Sequence, residues 1–344
     1  MNLKYRLQVL ILVIYMTFLS SFIHAQEPLQ YWRNPDAMIQ DQAALLFEQA
    51  HQVLAANPPS TSADDARKLA LFSIDALLHD TRLDNGSAFL NYIENRYREV
   101  VLKLQNEKPK AKEIRIYRLY NHGFIVQSPS VTIAIDLIRG GRAEKPFISD
   151  TLMEALVSRC DILLISHKHG DHADKSVAQM FCNQQKTVIT PPGFWENMSP
   201  YIKYLRGERT ITEKINIPAK NAVLTVKVFP GHQDDVINNV YAITTPESVT
   251  VMHTGDQYNN SDMDWITRVK EEAKVEVLLV HSWMPHIEKT VEGIHPKLII
   301  VGHENEMEHT IDHRESYWLT FRRFKNVTTP YAVMAWGECY TFSK

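Results

Sequence analysis

The stretch Ile162-Leu163-Leu164-Ile165-Ser166-His167-Lys168-His169-Gly170-Asp171-His172 decides how the rest of the chain is read. Its short apolar, partly β-branched start predicts a buried strand over 161–166. Three histidines and an aspartate then fall within six residues. In extended chain, residues two apart point the same way, so His167 and His169 can reach one ion together. Gly170 lets the chain turn. Asp171 and His172 lie on the turn into a helix expected from Asp174, a position that suits a second ion. Imidazole and carboxylate are donors that borderline metals such as zinc accept.

Outward from this stretch, further donors follow apolar runs. The run Val223–Phe229 leads to Pro230-Gly231-His232, Val249–His253 leads into Thr254-Gly255-Asp256, and Lys297–Val301 ends at Gly302-His303. In α/β sheets, functional groups gather where strands end. A short carboxylate at such an end, here Asp256, is placed to bridge two cations. Upstream, strands are predicted over 114–120, 123–127 and 131–137, the last carrying Asp136. Other strands are expected over 186–190, 241–244, 275–280 and 331–335, and a helix over 264–273.

The N-terminal part reads differently. Lys4 and Arg6 precede an apolar core, Val9–Phe18, and a cleavage region around Ala25, the build of a secretory signal over residues 1–25. The run is short for a membrane span, so membrane contact is expected only through an uncleaved signal. Export to a periplasm or the exterior follows. Residues 26–112 are expected to be helical, with amphipathic helices over 37–56, 65–79 and 87–106 and a charged linker over 108–112. Such helices pack on the main domain or on a second copy, giving a possible homo-oligomer.

Composition is ordinary for a globular protein: 344 residues, 44% hydrophobic and 22% charged, with a net charge of -3. That charge gives no footing for a nucleic-acid partner. The three cysteines, Cys160, Cys182 and Cys339, form no close-spaced metal motif and are read as small buried residues.

The order His-x-His-x-Asp-His, Gly-His, Thr-Gly-Asp, Gly-His resembles the motif set of the metallo-β-lactamase superfamily, over residues 113–344. The resemblance implies an α/β fold, a four-layer αββα sandwich, carrying the N-terminal helices. It implies one metal on His167, His169 and His232, another on Asp171, His172 and His303, and Asp256 as the bridge. It makes Asp136 a support for the metal loop and His122 a support or pocket residue. Two divalent cations so held, zinc by default with manganese or iron accepted, lower the pKa of a shared water toward about 7. The bridging hydroxide then attacks a lactone, ester or phosphodiester in a small-molecule substrate, with Asp171 and Asp256 as the catalytic carboxylates. His253, His281 and His286 are the candidates to protonate the leaving group. An Asp in the bridging role argues against β-lactamase activity, and His169 stands where flavo-diiron proteins have Glu. The strand-Asn-His-Gly-strand-Asp136 pattern with His253-Thr254-Gly255-Asp256 looks most like the branch of ascorbate-6-phosphate lactonase-like and N-acylphosphatidylethanolamine phospholipase D-like hydrolases. The helical region and the signal depart from that branch. The alternative from another class is a non-enzymatic metal-binding or partner-docking protein that keeps the fold.

Overall fold

The structure, a computed structural model, describes residues 31–344. The predicted signal segment lies outside them. Three helices come first: α1 (Pro35–Ala56), α2 (Asp65–Leu78) and α3 (Ser87–Asn106), close to the predicted ranges. Asn34 and Asp64 cap the first two by accepting from the backbone N–H of Ala37 and Arg67.

An antiparallel meander follows, β1 (Glu113–Arg118), β2 (Phe124–Gln127) and β3 (Thr132–Ile135). A small hairpin, β4 (Gly141–Arg142) with β5 (Lys145–Pro146), and helix α4 (Asp150–Val157) lead to β6 (Ile162–Leu164). Helix α5 (Lys175–Asn183), β7 (Thr187–Thr190) and β8 (Ile202–Tyr204) complete the run, with β3, β6, β7 and β8 parallel. The second sheet begins with the antiparallel strands β9 (Ile211–Ile217), β10 (Ala222–Gln233), β11 (Val236–Thr244) and β12 (Thr250–His253). Strands β13 (Val277–His281), β14 (Leu298–Gly302) and β15 (Tyr331–Val333) then add in parallel. Between them run α6 (Met263–Ile266), α7 (Val269–Glu272), α8 (Ile287–Ile294) and α9 (Tyr317–Arg323). Strand β16 (Cys339–Ser343) returns to the first sheet, antiparallel to β1, so each sheet has seven strands.

Alternation along the strands builds the layers. In β6, Ile162 and Leu164 face the second sheet, while Leu163, and Ile165 just beyond the strand, face helices. In β13, Val277 and Leu279 point inward, and Leu278 and Val280 pack on the opposite side with Ile266, Val269 and Ile294 of α6, α7 and α8. The result is helices, sheet, sheet, helices: the four-layer αββα sandwich. The outer face of the first sheet shares one apolar cluster with α1, α2 and α3, where Phe89, Tyr92 and Tyr120 surround Trp336. The helical region therefore packs on the sandwich itself.

The structure corrects three expectations. The helix predicted over 264–273 is two short helices, broken where the backbone of Thr267 rests against Gly293 of α8, a spot where a Cβ would collide. Strand β10 runs past Phe229 to Gln233, so His232 sits inside a strand rather than beyond its end. The three cysteines are unpaired, and Cys339 is only partly buried because it lies on the edge strand β16. Among the described residues no helix is long and apolar enough to cross a membrane.

Candidate metal centre

Strand ends on both sheets deliver the site. After β3 the chain turns at Asp136, held at φ +46°, and its carboxylate accepts from the Ser166 backbone N–H at 2.7 Å and the Ser166 hydroxyl at 2.6 Å. The same carboxylate accepts from His172 Nδ1 at 2.7 Å. Burial alone would raise the Asp136 pKa, but His253, His172 and Ser166 hold it below the ordinary value. Asp136 therefore orients the His172 ring and turns its Nε2 toward Asp171 and Asp256.

Asp171, His172, Asp256 and His303 present donor atoms within 4.8 Å of one another, and so do His167, His169 and Asp171. His172 Nε2 lies 3.1 Å from Asp171 Oδ2 and 3.2 Å from Asp256 Oδ2, and His303 Nε2 lies 3.4 and 3.3 Å from the same two oxygens. His167 Nε2, His172 Nε2 and Asp256 Oδ1 are buried without a hydrogen-bond partner. Orphaned donor atoms that converge in this way fit a divalent cation, because leaving them unpaired is costly. The residues present thus suit the metal that the sequence resemblance implies.

Electrostatics agree with this reading. Burial would push the His303 imidazole down, yet the Asp256 and Asp171 carboxylates raise it to about 10. His172 is likewise raised well above its ordinary value against burial by Asp256 and Asp171. Burial opposes the charge on Asp256, while His172 and His303 hold its carboxyl well below the usual range. The two carboxylates thus favour the charged form of both imidazoles, and a cation can take over that positive charge. His167 takes the opposite course, since burial and its neighbour His172 lower it to about 3.

Supporting residues hold these loops. Asn121 Nδ2 donates to Asp171 Oδ2 at 3.0 Å and lies 3.2 Å from His303 Nε2. The Asp256 backbone N–H donates to Asn238 Oδ1 at 3.1 Å, and Asn238 Nδ2 donates to the Thr254 carbonyl at 2.8 Å. Gly255 at φ +51° leaves no room for a side chain, because a Cβ would strike Asn238 and Ser166. Arg118, wholly buried, donates to Glu304 Oε2 at 2.6 Å and ties β1 to the residue after His303.

The remaining predicted residues fall into different places. His253 Nε2 donates to the His122 carbonyl at 3.1 Å, and His122 packs on that ring with centroids 4.3 Å apart. His281 Nε2 donates to the Gln257 carbonyl at 2.9 Å. His286 lies toward a separate cavity with Asp234 and Asp235, its Nε2 3.1 Å from Asn260. None of these four lines the cavity over the clustered carboxylates. That cavity, about 530 Å³, has walls from His169, Gln233, Tyr258, Trp283, His309, His313 and Glu315, with Asp171, Asp256 and His303 among its lining residues. Trp283 stands against the His303 ring, and Tyr258 leans on Trp283, with centroids 5.5 and 5.7 Å apart. His232 is not brought to His167 and His169. Its Nδ1 donates to the Asp262 carboxylate at 3.1 Å, and Arg206 Nη2 donates to its Nε2 at 3.0 Å.

Sequence reasoning missed Asn121, Asn238, Tyr258, Trp283, His309 and His313. Asn121 stood beside a noted His-Gly pair, and Trp283 stood two residues past β13, so position after a strand was the one available signal. His309 and His313 sit on a loop with no such marker.

No family model matches the chain, and no curated protein does. Three solved structures illustrate what it is similar to. Igni18, a metallo hydrolase from the archaeon Ignicoccus hospitalis, is 16% identical over 67% of this chain and 99% of its own, with a TM-score of 0.49. The isothiocyanate hydrolase from Delia radicum gut bacteria is 14% identical over 67% and 99%, with a TM-score of 0.49. CmlA, a diiron β-hydroxylase from Streptomyces venezuelae, is 14% identical over 69% of this chain and 55% of its own, with a TM-score of 0.48. The chain's own layers, with a His-x-His-x-Asp-His loop leaving β6 and Asp256 and His303 leaving β12 and β14, form the four-layer αββα sandwich that the sequence resemblance implies.

Proposed function

We propose that the protein is an exported metal-dependent hydrolase acting on a lactone, ester or phosphodiester of a small molecule. One observation carries the reading: two groups of histidine and aspartate donors, with buried unpartnered atoms on His167, His172 and Asp256, adjoin a cavity of about 530 Å³ lined by their own His169, Asp171, Asp256 and His303. A divalent cation bound there supplies Lewis acidity to the scissile group and an acidified water. The chain's own residues do the rest. Asp136 holds His172 Nε2 toward the cluster, and Asn121 orients Asp171 at the cavity floor. Tyr258 and Trp283 offer an apolar wall that excludes water from one flank of a bound substrate. His309 and His313 bring polar groups to the cavity lining.

The test is turnover by the chain from Gln26 onward of a panel: a lactone, an aryl ester, a phosphodiester and a β-lactam. Hydrolysis of one class, lost to chelator and restored by zinc, supports the reading. Asp256→Ala should abolish that turnover in a folded chain, and unchanged turnover in the variant sinks it. Absence of both turnover and bound metal favours the non-enzymatic alternative. Export is tested separately, by cell fractionation and by N-terminal sequencing for a mature start at Gln26.

A further inference from the structure

His232 is engaged on both ring nitrogens. Asp262 accepts the Nδ1 proton, and Asp262 is itself held by Gln257 Nε2 at 2.8 Å. That fixes the tautomer and puts the remaining lone pair on Nε2. A metal needs this lone pair, and Arg206 Nη2 occupies it at 3.0 Å. Arg206 is anchored in turn on the Gly231 and Asn238 carbonyls at 3.1 and 3.3 Å. A guanidinium stays charged at any ordinary pH, so it also repels a cation from that spot. The cause lies in strand alternation. Strand β10 continues through His232 to Gln233, so adjacent side chains take opposite sides. Gln233 is the one that lines the cavity, with its Oε1 buried and unpartnered.

The two donor groups are therefore unequal. Asp171, His172, Asp256 and His303 give four donors, three of them buried. His167, His169 and Asp171 give three donors, two of them only half-buried. We propose that the centre departs from the two-metal ligand set implied by the sequence resemblance: its second cation position is His167, His169 and Asp171 without His232, and it fills only after the four-donor position. Asp171 belongs to both groups and couples them. His232 instead clasps the chain after Asp256, since its carbonyl accepts from the Tyr258 backbone N–H at 2.9 Å and its own N–H donates to Gln257 Oε1 at 2.9 Å.

This inference rests on the proposal that the cluster holds a cation, and the experiment separates the two. Chelator-stripped full chain is titrated with Zn(II) against a chromophoric competitor, for wild type, H232Q, H169A and H303A. Wild type should take up zinc in two steps, with midpoints separated by more than about tenfold, the lower end of what losing one supporting group costs a metal site. H169A should lose the weaker step, H303A the tighter one, and H232Q neither. Loss of a step in H232Q, a single step in wild type, or two steps of equal affinity overturns the inference while leaving the metal reading standing. No uptake by any chain overturns both. A second readout needs no variant: in ¹⁵N-labelled wild type, zinc should shift the ring nitrogens of His169 and His303 and leave those of His232 in place. A zinc-induced shift of His232 Nε2 overturns the inference.

Discussion

The Arg118 guanidinium and the Glu304 carboxylate meet at 2.6 Å with neither exposed to water. The pair joins β1 to the segment that carries His303. Burial raises the Glu304 pKa, and Arg118 pulls it back down, so removing Arg118 leaves an uncompensated buried carboxylate. Arg118→Ala should cost about 3–5 kcal/mol in denaturant unfolding. Replacing both partners by Met should recover most of that loss, because the penalty lies in the orphaned charge. A double variant no more stable than Arg118→Ala would contradict this account.

Asp75 in α2 accepts from Asn305 Nδ2 at 2.9 Å and from the backbone N–H groups of Tyr317 and Trp318 at 2.9 and 3.1 Å. Burial pushes its carboxyl from 3.8 up to about 6, despite these donors. A raised folded value means that the native state binds the proton more tightly than the unfolded chain. The contribution is thus fully present below about pH 4 and is lost as pH rises through about 6. It amounts to at most about 3 kcal/mol. Asp75→Asn should remove this slope, so the stability difference between wild type and variant should change between pH 4 and pH 6 and be level above. A constant difference over that window would refute the assignment.

Cation uptake should release protons. Asp256 and Asp171 raise both His172 and His303 against burial, and His303, pushed up to about 10, carries a proton at pH 8 before the metal arrives. Calorimetric titration with zinc in buffers of different ionisation enthalpy should report proton release at the tight step, the His303 proton among those lost. Affinity should fall as pH falls. Release of no protons would show that the imidazoles were already neutral.

Trp283 and Tyr258 form one wall of the cavity. Trp283→Ala should raise KM by roughly 3- to 10-fold, with kcat little changed, as expected for losing an aromatic contact made alike in ground and transition states. A loss of kcat at constant KM would place Trp283 in the chemistry instead.

Much of this fold was legible because its strands are buried on both faces and read as plain apolar runs, as in Ile162–Leu164 and Val277–Val280. The helices α1–α3 were legible from the helical spacing of their apolar residues, although α1 starts at Pro35, ahead of the expected 37. Strand β16 was not, because Cys339–Ser343 is a short edge segment whose identity comes from pairing with β1 far away in sequence. The donors of the four-residue group were legible from strand ends and glycines. His232 was misplaced for a local reason: Pro230 and Gly231 signal an end, yet the hairpin to β11 carries the ladder past both. One extra residue of strand decides which neighbour faces the cavity.

The anchoring of Arg67 in α2 on Glu338, 271 positions away, bears on how the chain matures. The Arg67 guanidinium lacks its carboxylate partner until the segment around Glu338 has been made, and β1 keeps an open edge until β16 arrives. The closure of this helix and of this sheet edge is therefore a late step, made only when the C-terminal segment is available. Shortening the chain before Glu338 removes both closures and should leave a species that chaperones hold and proteases clear.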